Sequence, residues 1–243
     1  MSEQLAIRDL TIRRGGREVV RGVDLTVPRG EVTALLGANG AGKSSLVLAV
    51  AGLLRDIRGD IELDGRAIRG LRPNRVRRAG LATMQEGHRV FTDISVADNL
   101  KIAALLLPRR DRGAAVEEML DIFPEMHGFA DRAAGSLSGG QQQMLALASA
   151  LAARPEYLVI DEMSLGLAPV IVARLVPVLR SVAARGVGIL LIEQFTHVAL
   201  DLATSAVVLA QGEVTLRESA ATLRDQPEQL AAAYRLTEAE EQS

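Results

Sequence analysis

Apolar positions recur along this chain with two different periods. LAIRDLTI (5–12) and VDLTV (23–27) are short β-type runs, whereas EVTALLG (31–37) is apolar nearly throughout and predicts a strand buried on both faces. A glycine-rich turn follows directly, then a helical run, KSSLVLAVAGLL (43–54). IRGDIELDGRAI (57–68) predicts a hairpin turning at Asp64 and Gly65. From about Asp93 to Ala134 the period becomes helical: SVADNLKIAALLL opens on a serine suited to an N-cap, and RGAAVEEMLDIF stops before Pro124. This stretch predicts a helical insertion. Beyond it strands and helices alternate again, through EYLVID, VIVARLVPVLRSVAARG, GVGILLIE, a short helix, SAVVLA and GEVTLRE. Such alternation predicts an α/β fold, a largely parallel sheet with helices on its faces. SAATLRDQPEQLAAAYRL (219–236) reads as two short helices before a polar tail.

Composition narrows the function classes. With 243 residues, 48% hydrophobic and 24% charged, the chain can bury a sizeable core as one domain or a domain with an insertion. A net charge of −2 and no basic stretch interleaved with aromatics give no sign of a nucleic-acid partner, and RPNRVRR (72–78) reads as a solvated loop. The absence of cysteine excludes a disulfide framework, thiolate-bound zinc and thiol catalysis. No apolar run is long enough to cross a bilayer and MSEQLAIRDL lacks the pattern of a secretory signal, so the chain is expected neither to span a membrane nor to be secreted by itself.

Three short stretches carry candidate chemistry. GANGAGKSS, Gly37, Ala38, Asn39, Gly40, Ala41, Gly42, Lys43, Ser44 and Ser45, fits the phosphate-binding loop G-x-x-x-x-G-K-[ST] and stands between a buried strand and a helix. The bare pattern arises by chance in about one such chain in a hundred, and its strand and helix context makes an ordinary glycine turn the weaker reading. Backbone N–H groups there suit the α- and β-phosphates of a nucleotide such as ATP, Lys43 the β- and γ-phosphates, and Ser44 a Mg²⁺ ion. EYLVIDE ends a buried run in two carboxylates, at the sheet edge where open α/β folds bind ligands. Asp161 suits the metal and Glu162 an attacking water, although alone these acids would pass for a solvated strand end. SLSGGQQQ places Ser138, Gly139, Gly140 and Gln141 at a helix start. Helix-terminal N–H groups suit an anion, and an N-cap serine followed by flexible glycines fits the stretch equally well.

With GANGAGKSS, LSGGQ and EYLVIDE in this order, nearly the whole chain resembles the nucleotide-binding subunits of ATP-binding cassette (ABC) transporters. LSGGQ is that family's signature. EGHRVF (86–91), DEMSLGLAP (161–169) and LLIEQ (190–194) look more closely like the ATPase subunits of branched-chain amino acid importers. The resemblance implies one P-loop NTPase domain of the ABC ATPase type over 1–243: a RecA-like core with an antiparallel β part over 1–84, a helical subdomain (about 85–151), the core continued over 152–225 and C-terminal helices over 226–243. It also implies two cassettes packed head to tail, as a homodimer or with a sister subunit. The phosphate loop of one and the signature of the other, here Ser138 to Gln141, would enclose ATP with Mg²⁺. Transmembrane permease subunits, docked on the helical subdomain at the cytoplasmic membrane face, would move cargo delivered by a periplasmic-type binding protein.

Four places depart from the general family pattern. Where an aromatic usually stacks on adenine stand Arg13 and Arg14, of which Arg14 aligns best and can stack through its guanidinium. The expected switch glutamine aligns with Glu86, with Gln85 just before it; either can sense Mg²⁺ and the γ-phosphate. Gln194 replaces the usual histidine, and because an amide takes no proton, Glu162 carries more of the catalysis. His197 is expected on a helix surface. Met163 replaces a usual proline, and SLGLAP lacks the aspartate often found there. A soluble ABC ATPase working in translation or repair is the alternative, but such proteins usually carry two cassettes or a long coiled-coil insertion. A kinase using the same phosphate loop has no use for LSGGQ.

Overall fold

The structure, a computed structural model, describes residues 3–85, 87 and 90–240. Its elements run β1 (Gln4–Arg14), β2 (Arg17–Pro28), β3 (Val32–Leu36), α1 (Lys43–Val50), β4 (Ile57–Leu63), β5 (Arg66–Ala67), α2 (Pro73–Arg78) and β6 (Leu81–Met84). Then follow α3 (Val96–Ala103), α4 (Arg112–Ile122), α5 (Gly139–Leu151), β7 (Tyr157–Asp161), α6 (Pro169–Ala184), β8 (Gly188–Ile192) and α7 (Thr196–Leu202). The chain closes with β9 (Ser205–Ala210), β10 (Glu213–Ser219), α8 (Ala220–Asp225) and α9 (Pro227–Glu240).

Among the described residues the strands form two sheets. One has the order β10-β9-β3-β8-β7-β6, parallel from β9 to β6 with β10 antiparallel at its edge; the other is antiparallel, β2-β1-β4-β5. Strands β3, β7 and β8 are buried at every position, as their nearly continuous apolar sequences predict, with Thr33 and Asp161 the polar residues among them. Because side chains alternate across a strand, each supplies two cores. Ala34, Leu36, Leu158, Ile160, Ile189 and Leu191 pack toward the helices α3 to α8. Leu35, Val159, Leu190 and Ile192 pack against α1 and the antiparallel sheet.

The two sheets are tied together at the end away from the phosphate loop. Arg29 reaches Asp64 at 2.6 Å and Glu156 at 2.7 Å and lies over the Tyr157 ring, 5.5 Å from its centre. The Tyr157 hydroxyl also donates to Asp64. Asp64 and Gly65 both have left-handed φ, 50° and 77°, which makes the expected hairpin turn. A second such turn, Gly15 and Gly16, joins β1 to β2.

Helices α3 and α5 pack side by side, with α4 against α3. Ser95 caps α3 by accepting from the Asp98 amide at 3.0 Å. The segment RPNRVRR is a correction to the expected loop. Its residues 73–78 form α2, started by Pro73 in the first turn after extended Arg72, and Arg77 is drawn inward, donating to the Ser149 carbonyl of α5 at 3.1 Å.

Candidate functional site

The end of β3 turns into a loop that glycine alone allows. A Cβ on Gly37 would lie 2.2 Å from the Leu209 carbonyl oxygen, and one on Gly42 would lie 2.6 Å from that of Val19. Gly42 leads into α1 with φ 106° and no side-chain cap, so the first N–H groups of that helix remain available to an anion. Lys43 is 5% exposed and donates from Nζ to the carbonyls of Gly37 at 2.7 Å and Ala38 at 2.9 Å, which curls the loop around its ammonium. Burial lowers its pKa, and the nearby charges of Glu162 and Asp161 partly restore it. Arg14, Asn39, Lys43, Ser44 and Glu162 share the walls of one cleft of about 390 Å³ with the loop glycines Gly40 and Gly42.

The carboxylates stand at the carboxyl end of β7. Asp161 is buried, and Glu162 follows with a left-handed φ of 53°, a conformation that costs a residue with a Cβ about 1 kcal/mol or more and here turns it toward the cleft. Its amide donates to the Ile192 carbonyl at 3.0 Å. Gln194 joins the two halves of the site: its Nε2 donates to Glu162 Oε1 at 2.8 Å and to Asn39 Oδ1 of the phosphate loop at 2.7 Å. His197 is exposed on α7 with its ring edge toward Phe195.

Two buried polar residues that no local motif marks lie beneath the site. Glu193, 1% exposed, accepts from the amide and the hydroxyl of Ser164, and burial raises its pKa. Gln143, also buried, donates to the Met163 carbonyl at 2.9 Å and so ties α5 to the loop after Glu162.

The other expected residues lie elsewhere. Ser138 caps α5 in a full capping box: its hydroxyl accepts from the Gln141 amide at 3.3 Å, and the Gln141 side chain accepts from the Ser138 amide at 3.0 Å. None of Ser138, Gly139, Gly140 and Gln141 lines the phosphate cleft. Gly140 faces Ile171 of α6 so closely that a Cβ would stand 3.0 Å from it. Arg14 lines the cleft while Arg13 is committed to Glu18 at 2.9 Å. Gln85 lines a different cavity, with Arg77, Met84 and Ser149, and Glu86 lies outside the described residues.

The donor set suits Mg²⁺ bound together with phosphate oxygens. Among the described residues no cluster of three or more His, Cys, Asp or Glu can hold a metal, whereas Ser44 lines the cleft and Asp161 ends the adjoining strand. Mg²⁺ characteristically takes one or two protein oxygens and completes its shell from phosphate and water.

A parallel sheet with a loop in which Gly37 and Gly42 admit no Cβ, a buried lysine and a carboxylate turned toward the same cleft define a P-loop nucleotide-binding ATPase. The ABC transporter family profile matches residues 20–164, and the chain belongs to that family. It is 35% identical over 213 residues to the high-affinity branched-chain amino acid transport ATP-binding protein BraG of Pseudomonas aeruginosa, covering 88% of this chain and 91% of that one. It is 33% identical over 220 residues to the probable branched-chain amino acid transport ATP-binding protein LivF of Archaeoglobus fulgidus, covering 88% and 92%. A solved ATP-binding subunit of an ABC transporter superposes with a TM-score of 0.82 at 28% identity, over 92% of each chain. The chain is therefore an ATP-binding ABC ATPase.

Proposed function

We propose that this chain is the ATP-hydrolysing subunit of an importer for branched-chain or related amino acids, acting at the cytoplasmic membrane face. The observation that carries the catalytic part is the link Asn39–Gln194–Glu162, which sets a carboxylate beside the phosphate loop. Lys43 and the loop amides hold the β- and γ-phosphates, and Arg14 lies against the base. Ser44 and Asp161 would hold Mg²⁺, which would supply charge neutralisation at the phosphate oxygens. Glu162 polarises a water in line with the γ-phosphate, and Gln194 orients that carboxylate without taking a proton. The switch between core and helical subdomain falls to Gln85 or Glu86.

Ser138 to Gln141 lie off their own cleft, which supports their acting on the ATP of a second cassette in a head-to-tail pair, with a sister subunit favoured over a second copy. The helical subdomain of about 85–151 supplies the permease contact. Phe91, Ile102, Leu105 and Leu106 are exposed around one groove there, of about 360 Å³, suited to a short apolar helix. Among the described residues no helix is long and apolar enough to cross a membrane.

Purification of the tagged chain from detergent-solubilised membranes, with identification of the chains that accompany it, tests this reading. The expected result is a second cassette and two permeases whose reconstituted complex takes up leucine at the expense of ATP. A complex that hydrolyses ATP but moves no amino acid would overturn the cargo; recovery without any membrane protein would overturn the importer.

A further inference from the structure

Glu193 follows strand β8 directly and is almost wholly buried, and each of its oxygens accepts a hydrogen bond from Ser164 of another loop. Oε1 accepts from the Ser164 amide at 3.0 Å and Oε2 from the Ser164 hydroxyl at 2.6 Å. Ser164 is itself 4% exposed and stands two residues beyond Glu162. A left-handed glutamate persists only where the backbone around it is held. Strand β7 holds it from upstream; downstream, Gln143 holds the Met163 carbonyl and Glu193 holds Ser164 from both its polar groups. The neighbour of Glu193 in the chain, Gln194, grips the Glu162 carboxylate itself. A position that served packing alone would not need a buried acid, whose desolvation is costly.

We propose that Glu193 is a positioning residue for ATP hydrolysis: by fixing Ser164 it fixes the strained turn that aims Glu162 at the cleft. This rests on Glu162 being the group that polarises water. Removal of the anchor lets that carboxylate drift while the phosphate loop, on another strand, keeps its grip on ATP. The loss therefore falls on kcat and spares ATP affinity. A glutamine at 193 can accept from the Ser164 amide through its oxygen and donate to the hydroxyl through its nitrogen, so the geometry is recoverable without the charge.

The test compares full-length wild type, E193A, E193Q, S164A and E162Q, each assembled with the cassette that co-purifies with the chain, in steady-state phosphate release, and each alone in equilibrium binding of a fluorescent ATP analogue. E193A is expected to lower kcat by about tenfold to a hundredfold, the scale of a small misplacement of a catalytic group, with analogue affinity kept and most of the rate recovered in E193Q. S164A, which deletes one hydroxyl and keeps the fold should E193A lose it, is expected to lower kcat by a smaller factor, again at unchanged KM. Wild-type kcat in S164A and E193A, or parallel loss of affinity and rate, overturns the proposal. If E162Q still hydrolyses ATP, the role of Glu162 itself falls; if E162Q is inactive while E193A keeps full turnover, only the role of Glu193 does.

Discussion

Replacing Arg29 by alanine should weaken the joint between the two sheets. Its guanidinium, 27% exposed, meets Asp64, 23% exposed, at 2.6 Å, and that bond is worth about 1.5 kcal/mol as a half-screened charged hydrogen bond. The bond to Glu156 at 2.7 Å involves a side chain 46% exposed and adds only about 0.5 kcal/mol. The stack over Tyr157 adds about 0.5–1 kcal/mol, so R29A should cost about 2.5–3 kcal/mol in all. The cost should also depend on pH. Burial pushes the Asp64 carboxyl up, but hydrogen bonds from Arg29 and Tyr157 outweigh it and hold the pKa below its ordinary value. A group depressed in the folded state adds stability above its unfolded pKa and loses it as pH falls through the folded one. The R29A penalty should therefore be constant near neutrality and shrink below about pH 4. Urea unfolding at a series of pH values reads it, as a shifted midpoint at unchanged slope. A neutral-pH penalty under about 0.5 kcal/mol, the size of an ordinary surface substitution, or one that persists at full size in acid, would refute this reasoning.

Two further predictions concern the site. Q194A removes both hydrogen bonds from Nε2, to Glu162 at 2.8 Å and Asn39 at 2.7 Å, in an exposed position. A loss of about 1–1.5 kcal/mol predicts roughly a fivefold to fifteenfold fall in kcat at saturating ATP, and unchanged phosphate release would contradict it. S138A loses the capping box and about 1 kcal/mol of stability, whereas S138N keeps the cap; both should lose turnover while the monomer still binds ATP. Full turnover in S138N would reduce Ser138 to its cap.

The chemistry-bearing elements were legible where one local rule decided the outcome. Strand β3 and its loop follow from a nearly continuous apolar run meeting glycines that must approach other backbone, at Leu209 and Val19. The Asp64–Gly65 hairpin and the Ser95 cap are equally local. Misreading began where local polarity and tertiary placement disagree. The arginines of RPNRVRR read as a solvated loop because their charge hides a helix whose Arg77 is held by a carbonyl seventy-odd residues away, on Ser149. The first half of β2, REVVRG, shows no period in the sequence because its exposed edge carries too few apolar positions. Within the site, LLIEQ drew attention to Gln194 through resemblance, but nothing local marks Glu193, whose meaning lies in a distant serine. Ser138 illustrates the converse: the plain N-cap reading is structurally real, and its proposed chemistry needs a second molecule.

The central claim is that Glu162 drives hydrolysis of an ATP shared between two cassettes, and E162Q tests it most directly. Size-exclusion chromatography with light scattering, on E162Q alone and mixed with its sister subunit, should show a stable pair in ATP and Mg²⁺ but not in ADP, with ATP still bound and phosphate release lost. Hydrolysis at the wild-type rate in E162Q, or ATP retained by monomers only, would contradict it.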